Sequence, residues 1–284
     1  MTCNVQLLII YKAQVSSMTK YQSTQEHHTL LDWLSSYEPS HAHSRAVSSR
    51  LVGTCQWFLH NQKFVDWLNG VDERTILLAH GVPGSGKTIL TSFVIDLIGE
   101  SESDRTALAY MYFDHSQQAQ LHATTVIASV LKQLCIRLSY IPQPVSALYR
   151  RHDVKGTRPS FKEMDAALQS LTDICFDTTY LVIDALDECE PSSIHEFLAC
   201  LRNLSSRGHV KIFISCRSHM LATADPESKT IQIEVQASTI DLESYVSKVL
   251  EQGDPFHDIG SDFRARIAKT LVHNACKMYS LPQG

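Results

Sequence analysis

The sequence has no apolar run long enough to cross a membrane and no block of like charges. The one apolar run near the N-terminus, Val5 to Tyr11, is far shorter than the roughly 20 residues that a bilayer requires, and it lacks the basic flank of a signal peptide. We predict that it is a short strand or a leader. Lysine and arginine number 25 against 30 aspartate and glutamate, which gives a net charge of −5. A field of this sign attracts neither nucleic acid nor an anionic membrane, so we expect neither as a partner.

Glycine and proline are also scarce, at 11 and 9 of 284 residues, while 44% of the residues are apolar. This composition excludes collagen-like, low-complexity and disordered chains and leaves a globular protein. The cysteines form no CxxC pair and no close cluster, which excludes a disulfide framework and favours a reducing cytoplasm. They are Cys3, Cys55, Cys135, Cys175, Cys189, Cys200, Cys216 and Cys276.

The segment before Glu73 has a helical, polar-rich pattern. Its Ser- and His-rich stretch, Pro39–Ser49, predicts a linker, and no cysteine or carboxylate lies at a ligand spacing from His41 and His43, so no metal site is expected there. Two aromatic stretches at helical spacing follow, Cys55–Leu59 and Phe64–Leu68. They indicate either a ligand box or a helix face that packs on a neighbouring domain, and packing is the favoured interpretation.

From Arg74 onward, short apolar runs of strand length alternate with amphipathic helical segments. The first four runs are apolar enough to be buried on both faces, which is typical of parallel strands covered by helices. This alternation predicts a three-layer α/β fold with a mainly parallel, five-stranded sheet. The predicted strands are Thr75–Ala79, Ala107–Phe113, Tyr180–Ile183, Val210–Ser215 and Ile231–Val235, and two helical segments follow them, Ile240–Glu251 and Asp262–Cys276.

The stretch from Gly81 to Thr88 matches GxxxxGK[ST] in full and lies between a predicted buried strand and an amphipathic helix. Gly84 and Gly86 allow backbone N–H groups to turn toward a phosphate, and the helix N-terminus adds partial positive charge. We predict that Lys87 reaches the β- and γ-phosphates and that the Thr88 hydroxyl binds Mg²⁺. The predicted phosphate-binding residues are Gly81, Val82, Pro83, Gly84, Ser85, Gly86, Lys87 and Thr88.

A second motif, Tyr180–Glu188, is an apolar strand that ends in Asp184. This is the Walker B position, whose carboxylate is predicted to hold Mg²⁺ through its water shell. Asp187 and Glu188 follow just past the strand, where one of them can orient or deprotonate an attacking water. A solvated acidic loop is the alternative interpretation, and it explains Asp184 poorly because a buried carboxylate requires a cation or other partners.

Arg217 directly follows the predicted strand Val210–Ser215 and Cys216. It either stabilises the γ-phosphate charge, the sensor 1 role, or caps the sheet as a surface arginine, and its position does not decide between the two. The absence of NKxD, DxxG and LSGGQ motifs discounts GTPases and ABC ATPases. The basic segment Arg150–Arg158 is either the lid of a small-molecule kinase or a solvated loop, and the loop is favoured.

Taken together, Leu77–Thr88, Leu181–Cys189 and Lys211–Arg217 resemble a NACHT domain of the STAND class of P-loop ATPases. Further stretches resemble fungal NACHT proteins of the nephrocystin-3-like N-terminal type, namely Gly53–Leu59, Phe64–Leu68 and Ala147–Pro159. The resemblance implies one strand between the P-loop strand and the Walker B strand, ATP preferred over GTP, slow turnover and nucleotide-driven oligomerisation. It assigns catalytic roles to Lys87, Asp187, Glu188 and Arg217, and Mg²⁺ binding to Thr88 and Asp184.

The sequence thus predicts an ATP-binding, slowly hydrolysing signalling module of the cytoplasm, with further copies of itself or longer NACHT proteins as partners. The alternatives are a non-catalytic interaction protein, a truncated regulator, and a small-molecule kinase, which ranks last. Truncation is expected because no winged-helix segment, effector domain or repeat follows Leu250. The predicted domains are a leader (1–26), a helical linker region (27–73), a P-loop NTPase domain (74–238) and a helical tail (239–284).

Overall fold

The structure is a computed structural model that describes residues 25–101, 103–114, 121–223, 230–236, 238–252 and 261–280. The predicted strand or leader at Val5–Tyr11 lies outside these residues. The chain divides into two compact units, a smaller one of Met1–Glu38 with Ala123–Phe176 and a larger one of Pro39–His122 with Asp177–Gly284. The predicted domain boundaries at residues 27, 74 and 239 stay predictions. Within the described residues, no helix has both the length and the apolar character that spanning a membrane would take.

The larger unit contains a five-stranded sheet in which all pairings are parallel. The strands are β1 (Ile76–His80), β2 (Thr106–Tyr112), β3 (Thr178–Asp184), β4 (Val210–Cys216) and β5 (Thr230–Glu234), in the spatial order β2-β3-β4-β1-β5. Each lies within two residues of its predicted bounds. As the resemblance implies, one strand, β4, separates β1 from β3. The predicted three-layer α/β fold is confirmed.

The helices, in chain order, are α1 (residues 25–34), α2 (Ser40–Ser49), α3 (Gln56–Leu59), α4 (Gln62–Asn69), α5 (Lys87–Glu100), α6 (Ala123–Ile136), α7 (Gln143–Asp153), α8 (Phe161–Cys175), α9 (Ile194–Ser205), α10 (Thr239–Gln252) and α11 (Ser261–Ser280). Two short 3-10 helices span Leu186–Glu188 and Ser218–Thr223. In the larger unit, α5 packs on β2, β3 and β4, and α9 packs on β4.

Strand burial follows the position of each strand in the sheet. The central strands β1, β3 and β4 are buried over nearly their whole length because neighbouring strands and helices cover them. The prediction that the first four strands are buried on both faces is wrong for β2, where Leu108 and Tyr110 are only partly buried. The physical reason is that β2 is an edge strand. On the other edge, Gln232 and Glu234 of β5 are exposed.

The predicted linker Pro39–Ser49 is instead a helix, α2. Its His43 Nε2 lies 3.0 Å from Asp96 Oδ1 on α5, and Arg50, which follows α2, donates to the other oxygen of the same carboxylate. Ala46 supplies a buried apolar contact. The linker prediction failed because these tertiary contacts, rather than the helix propensity of serine and histidine, stabilise the helix.

The aromatic stretches before β1 form part of the core, as the packing interpretation predicts. Phe58 of α3 and Phe64 and Trp67 of α4 are almost fully buried. The rings of Phe58 and Trp67 contact Phe213 of β4, and the ring of Trp67 also contacts Tyr180 of β3, at centroid distances of 5.8 to 6.5 Å. Large aromatic surfaces contribute strongly to burial energy, so these short helices are an integral part of the larger unit.

The described part of the smaller unit contains α1, α6, α7 and α8. Helix α8 begins with a capping box in which Ser160 and Glu163 satisfy each other's backbone N–H groups. Part of the basic segment Arg150–Arg158, predicted as a solvated loop, is the last turn of α7. His152 in this turn is 8% exposed and contacts Thr157 and Glu163, so the loop begins only after Asp153.

Candidate functional site

The glycine-rich segment connects the carboxyl end of β1 to the first turn of α5. Gly84 and Gly86 adopt left-handed φ angles of 81° and 89°, and Gly86 is the N-cap of the helix. At Gly81, a Cβ would lie 2.5 Å from the carbonyl oxygen of Val235 and 2.7 Å from Ser85 Oγ. The loop therefore needs glycine at these positions for two reasons, backbone conformation at two of them and close approach at the third.

Ser85, within this loop, carries a buried hydroxyl without a partner. The residue is 2% exposed, and its Oγ has no hydrogen-bond partner among the described residues. Buried polar atoms are rarely left unsatisfied, and such an orphan indicates a missing ligand group or water. The hydroxyl lies beside the N-terminus of the 14-residue helix α5, where backbone dipoles favour an anion. The loop residues therefore fit a phosphate group.

Lys87, the first residue of α5, turns its ammonium back onto the loop. Its Nζ donates to the carbonyl oxygens of Gly81 at 2.8 Å and of Val82 at 2.9 Å. Burial lowers the pKa of Lys87, while the carboxylates of Asp187 and Asp184 act in the opposite direction. The ammonium is thus held over the loop by two neutral acceptors, which an anion bound there can replace.

Asp184, the last residue of β3, is 2% exposed and accepts hydrogen bonds from three hydroxyl groups. Thr88 Oγ1 donates to Oδ2 at 2.8 Å, and Thr91 Oγ1 and Ser215 Oγ donate to Oδ1 at 2.7 and 2.6 Å. Burial raises the pKa of Asp184, and these hydroxyl groups together with Lys87 act in the opposite direction. The structure therefore brings together Thr88 and Asp184, the two residues predicted to bind the metal.

Thr91 and Ser215 were not predicted from the sequence as site residues. Thr91 lies three positions after Thr88, so it shares the helix face that meets Asp184. The register of β3 and β4 pairs Ile183 with Ile214, which places Ser215 beside Asp184. The helical spacing of Thr91 is visible in the sequence, whereas the partner of Ser215 depends on strand order and register.

Asp187, Glu188 and Arg217 form one charged cluster just beyond the tips of β3 and β4. The two oxygens of Asp187 accept from the backbone N–H and from Nε of Arg217, both at 3.0 Å. A terminal guanidinium nitrogen lies 3.7 Å from Glu188 Oε1. The Asp187 side chain is 4% exposed, against 22% for Glu188 and 41% for Arg217. Asp187 is therefore engaged by Arg217, and Glu188 is the more accessible carboxylate.

A cavity of about 400 Å³ adjoins Gly84, Ser85 and Gly86. Its other walls are mostly apolar and come from the segment before β1, from α5, from the end of β5 and from α10. They are formed by Ser49, Leu51, Thr54, Cys55, Trp57, Ile89, Leu90, Val235, Gln236, Asp241, Leu242 and Tyr245. Trp57 thus lines the cavity while the neighbouring Phe58 belongs to the core. The α10 residues were not predicted from the sequence as part of the site.

A hydrogen bond joins helix α10 to this cavity wall. The Asp241 carboxylate accepts from the backbone N–H of Cys55 at 3.3 Å. Cys55 has a left-handed φ of 66°, which is uncommon for a residue other than glycine. The contact fixes a strained turn at the cavity wall.

In the described part of the chain, no group of three or more His, Cys, Asp and Glu side chains is placed to hold a metal ion. The pair Thr88 and Asp184 offers one hydroxyl and one carboxylate. Mg²⁺ is commonly bound by one or two protein oxygens together with substrate phosphates and water. These residues therefore fit Mg²⁺ that arrives with a phosphate ligand.

The chain is similar in sequence to a known protein family and to a known fungal protein. A family model described as Nephrocystin 3, N-terminal, matches residues 53–217, more than half of the chain. Vegetative incompatibility protein HET-E-1 of Podospora anserina is 26% identical over 235 residues, which are 77% of this chain and 17% of that protein. The chain therefore spans less than a fifth of the length of this relative.

Two solved structures are similar at low sequence identity. AMPPCP-bound DnaA from Aquifex aeolicus is 14% identical, with a TM-score of 0.41 over 82% of this chain and 63% of that chain. Drosophila ORC bound to DNA is 12% identical, with a TM-score of 0.49 over 82% of this chain and 59% of that chain.

Proposed function

Because the chain belongs to the nephrocystin 3 N-terminal family of NACHT-type P-loop proteins, we propose that it is an ATP-binding switch module that hydrolyses ATP slowly. The observation that carries the proposal is the 2.8 Å contact between Thr88 and Asp184 beneath a glycine-rich loop at the start of α5. A hydroxyl and a buried carboxylate at this distance, beside an anion-binding loop, match the requirements of a nucleotide with its divalent cation.

In this proposal, the loop from Gly81 to Gly86 binds the phosphates. The left-handed glycines aim backbone N–H groups inward, and the orphan hydroxyl of Ser85 gains an acceptor. Lys87 exchanges the carbonyl oxygens of Gly81 and Val82 for phosphate oxygens. This exchange replaces neutral acceptors by charged ones and so strengthens the hydrogen bonds of the ammonium.

Thr88 and Asp184 hold Mg²⁺ in this proposal. When bound, Mg²⁺ neutralises charge on the β- and γ-phosphates. Thr88 would hold the ion through its hydroxyl oxygen, and Asp184 would hold it through its carboxylate. Thr91 and Ser215 keep that carboxylate in place with hydrogen bonds of 2.7 and 2.6 Å.

For hydrolysis, we assign water activation to Glu188 and charge stabilisation to Arg217. Glu188 is the more exposed of the two carboxylates, and Asp187 is engaged with the backbone and side chain of Arg217. A carboxylate near the strand tip can accept a proton from a water aligned with the γ-phosphate. Arg217 would leave its 3.7 Å contact with Glu188 for the phosphate.

We place the nucleobase in the cavity beside the loop, where Trp57 and Tyr245 offer aromatic surface. A volume of about 400 Å³ lies within the range of small-ligand sites. The preference for ATP over GTP is part of the proposal, and competition of the two nucleotides for a fluorescent ATP analogue measures it.

The decisive experiment is an equilibrium titration with a fluorescent ATP analogue in Mg²⁺. We expect Lys87→Ala to weaken binding by at least about tenfold, since a charged hydrogen bond contributes roughly 1.5–3 kcal/mol. The control is Lys63→Ala, which removes an exposed lysine whose Nζ donates to the carbonyl oxygen of Gln232 on β5, away from the glycine-rich loop. Unchanged affinity in Lys87→Ala would contradict the phosphate assignment.

A nucleotide-dependent interaction switch with negligible catalysis is the second candidate. It is favoured by the ion pairs that engage Arg217 with Asp187 and Glu188, because in this state neither carboxylate is free of the guanidinium. Phosphate release at saturating ATP distinguishes this switch from a hydrolysing module.

We propose further copies of the chain or longer NACHT proteins as partners, and neither nucleic acid nor membranes. Sedimentation in ATP and in ADP tests whether copies of the chain associate. A small-molecule kinase ranks last and requires phosphate transfer to an added acceptor.

We also propose a cytoplasmic location. It rests on six buried cysteine thiols, those of Cys55, Cys135, Cys175, Cys189, Cys200 and Cys216. A reducing compartment keeps thiols in this form. Fractionation of cells that express the chain tests the proposal.

A further inference from the structure

We propose that Ser215 is a positioning residue for metal binding, which holds both the carboxylate of Asp184 and the turn that follows it. This inference rests on the proposed nucleotide function and deepens it. Ser215 is the next-to-last residue of β4 and is 1% exposed. It is absent from the glycine-rich loop and from the acidic motif, and only the fold brings it to the site.

The single hydroxyl of Ser215 makes two hydrogen bonds of opposite direction. Its Oγ accepts from the backbone N–H of Ala185 at 2.9 Å and lies 2.6 Å from Asp184 Oδ1. An N–H group can only donate, so the one hydrogen of the hydroxyl is left for the carboxylate. The orientation of this hydroxyl is therefore fixed by the backbone.

The other two hydroxyl groups that donate to Asp184, those of Thr88 and Thr91, are less firmly fixed in their orientation. Thr91 Oγ1 also lies 2.9 Å from the carbonyl oxygen of Lys87, so its hydrogen has a second acceptor. Thr88 is the residue proposed to bind the metal. Ser215 is thus the donor that fixes Oδ1, and Oδ2, which contacts Thr88, would be the oxygen that holds Mg²⁺.

The second partner of Ser215 lies in a strained turn. Ala185 has a φ of 54°, a left-handed conformation that residues other than glycine rarely adopt. The 3-10 helix that carries Asp187 and Glu188 begins at the next residue. Because the Ser215 hydroxyl accepts from the backbone N–H of Ala185 and donates to Asp184, it holds this turn and the Asp184 carboxylate in a fixed relative position. Groups that orient metal ligands in this way affect metal affinity without touching the metal.

The test is the affinity for a fluorescent ADP analogue, measured with Mg²⁺ and with EDTA. The ratio of the two affinities reports Mg²⁺ binding and does not depend on turnover. We expect Ser215→Ala to reduce this ratio by about tenfold, with the affinity in EDTA unchanged. Ser215→Thr keeps the hydroxyl and restores the ratio.

The matched control is Thr179→Val. Thr179 is fully buried on β3, and its hydroxyl has no hydrogen-bond partner among the described residues. Removal of this hydroxyl leaves the Mg²⁺ ratio unchanged. If Ser215→Ala lowers the affinity equally with Mg²⁺ and with EDTA, or leaves both unchanged, the positioning role is overturned.

A second variant covers the case in which Ser215→Ala does not fold. Ser215→Cys occupies the same place with a weaker donor, and we expect a smaller loss of the Mg²⁺ ratio in the same direction. A full ratio in Ser215→Cys overturns the proposal. If the wild-type chain binds no ADP analogue in either condition, the proposed function itself fails and this inference falls with it.

Discussion

A methyl group on Gly81 would lie 2.5 Å from the carbonyl oxygen of Val235 and 2.7 Å from Ser85 Oγ. Backbone atoms cannot yield as a flexible side chain can, so this position depends on the absence of a Cβ. The motif in the sequence predicts a glycine-rich phosphate loop, but the clash arises from Val235, which follows β5 more than a hundred residues later.

We expect Gly81→Ala to destabilise the chain by about 1–3 kcal/mol, because the loop or the end of β5 must move. Gly99→Ala is the control, since its Cβ would meet only Leu108 Cδ2 at 3.9 Å and alanine favours the helix by up to about 1 kcal/mol. Urea unfolding measures both variants. A Gly81→Ala chain as stable as the wild type would contradict the close approach.

The acidic pair yields a second prediction for single residues. We expect Glu188→Gln to slow phosphate release by about 10²-fold or more while ATP affinity is kept, because the amide cannot accept the proton. Asp187→Asn removes a charge from the pair with Arg217 and slows release through the position of the arginine. Phosphate release and equilibrium binding are measured side by side. Equal losses of both in Glu188→Gln would indicate a structural role.

Sequence reasoning predicted Thr88 and the charged residues of the candidate site, but not the hydroxyl groups of Thr91 and Ser215. Thr88 and Asp184 stand in motifs whose spacing predicts their role, and the structure places them 2.8 Å apart. Ser215 escaped notice because a serine in an apolar strand has no local signal, and its contact with Asp184 requires that β4 lie beside β3. Side chains on neighbouring strands meet through register, which a single sequence does not contain.

At the scale of elements, the helix α2 is bound to the helix α5 through one carboxylate. Asp96 on α5 contacts His43 Nε2 at 3.0 Å and accepts from Arg50, which also lies over the ring of Phe93 at 5.7 Å. The strands were predicted to within two residues because their apolar runs are local. α2 was missed because its partner is about fifty residues away and its own composition resembles a linker.

We expect a double-mutant cycle between Arg50 and Asp96 to give a coupling of about 0.5–1 kcal/mol. The modest value reflects a pair whose side chains are 18% and 33% exposed. Arg50→Ala, Asp96→Ala and the double variant are compared by urea unfolding. Glu100→Ala, an exposed residue at the end of the same helix, is the reference and should show no coupling with Arg50→Ala. A coupling near zero would mean that the pair of Arg50 and Asp96 does not help to hold α2.

At the scale of the whole molecule, each of the two compact units has its own internal contacts. The smaller unit combines Met1–Glu38 with Ala123–Phe176, two stretches separated along the chain. The amino-acid composition predicts a domain boundary only where the hydrophobic pattern changes from one stretch of the sequence to the next. A unit that combines two separate stretches of the chain produces no such local change. The sequence therefore did not predict this division into two units.

A ligand that binds only the folded chain must raise its stability, and we expect this for ATP with Mg²⁺. At a concentration one hundred times the dissociation constant, the gain is about 2.7 kcal/mol. Thermal unfolding with and without millimolar nucleotide measures the shift in melting temperature. We expect a smaller shift in the Lys87→Ala chain. No shift in the wild-type chain would favour an interaction protein without nucleotide.

The two hydrogen bonds from Lys87 to the loop carbonyls would make the proposed nucleotide binding an exchange reaction. The carbonyl oxygens of Gly81 and Val82 satisfy the half-buried ammonium, as phosphate oxygens would in the proposed complex. Because these bonds already hold the ammonium at the loop, the proposed binding would cost less conformational entropy. The affinity for the nucleotide then reflects how much more strongly the Lys87 ammonium interacts with phosphate oxygens than with the two carbonyl oxygens. Anions of lower charge density interact less strongly with the ammonium, so we expect them to bind more weakly.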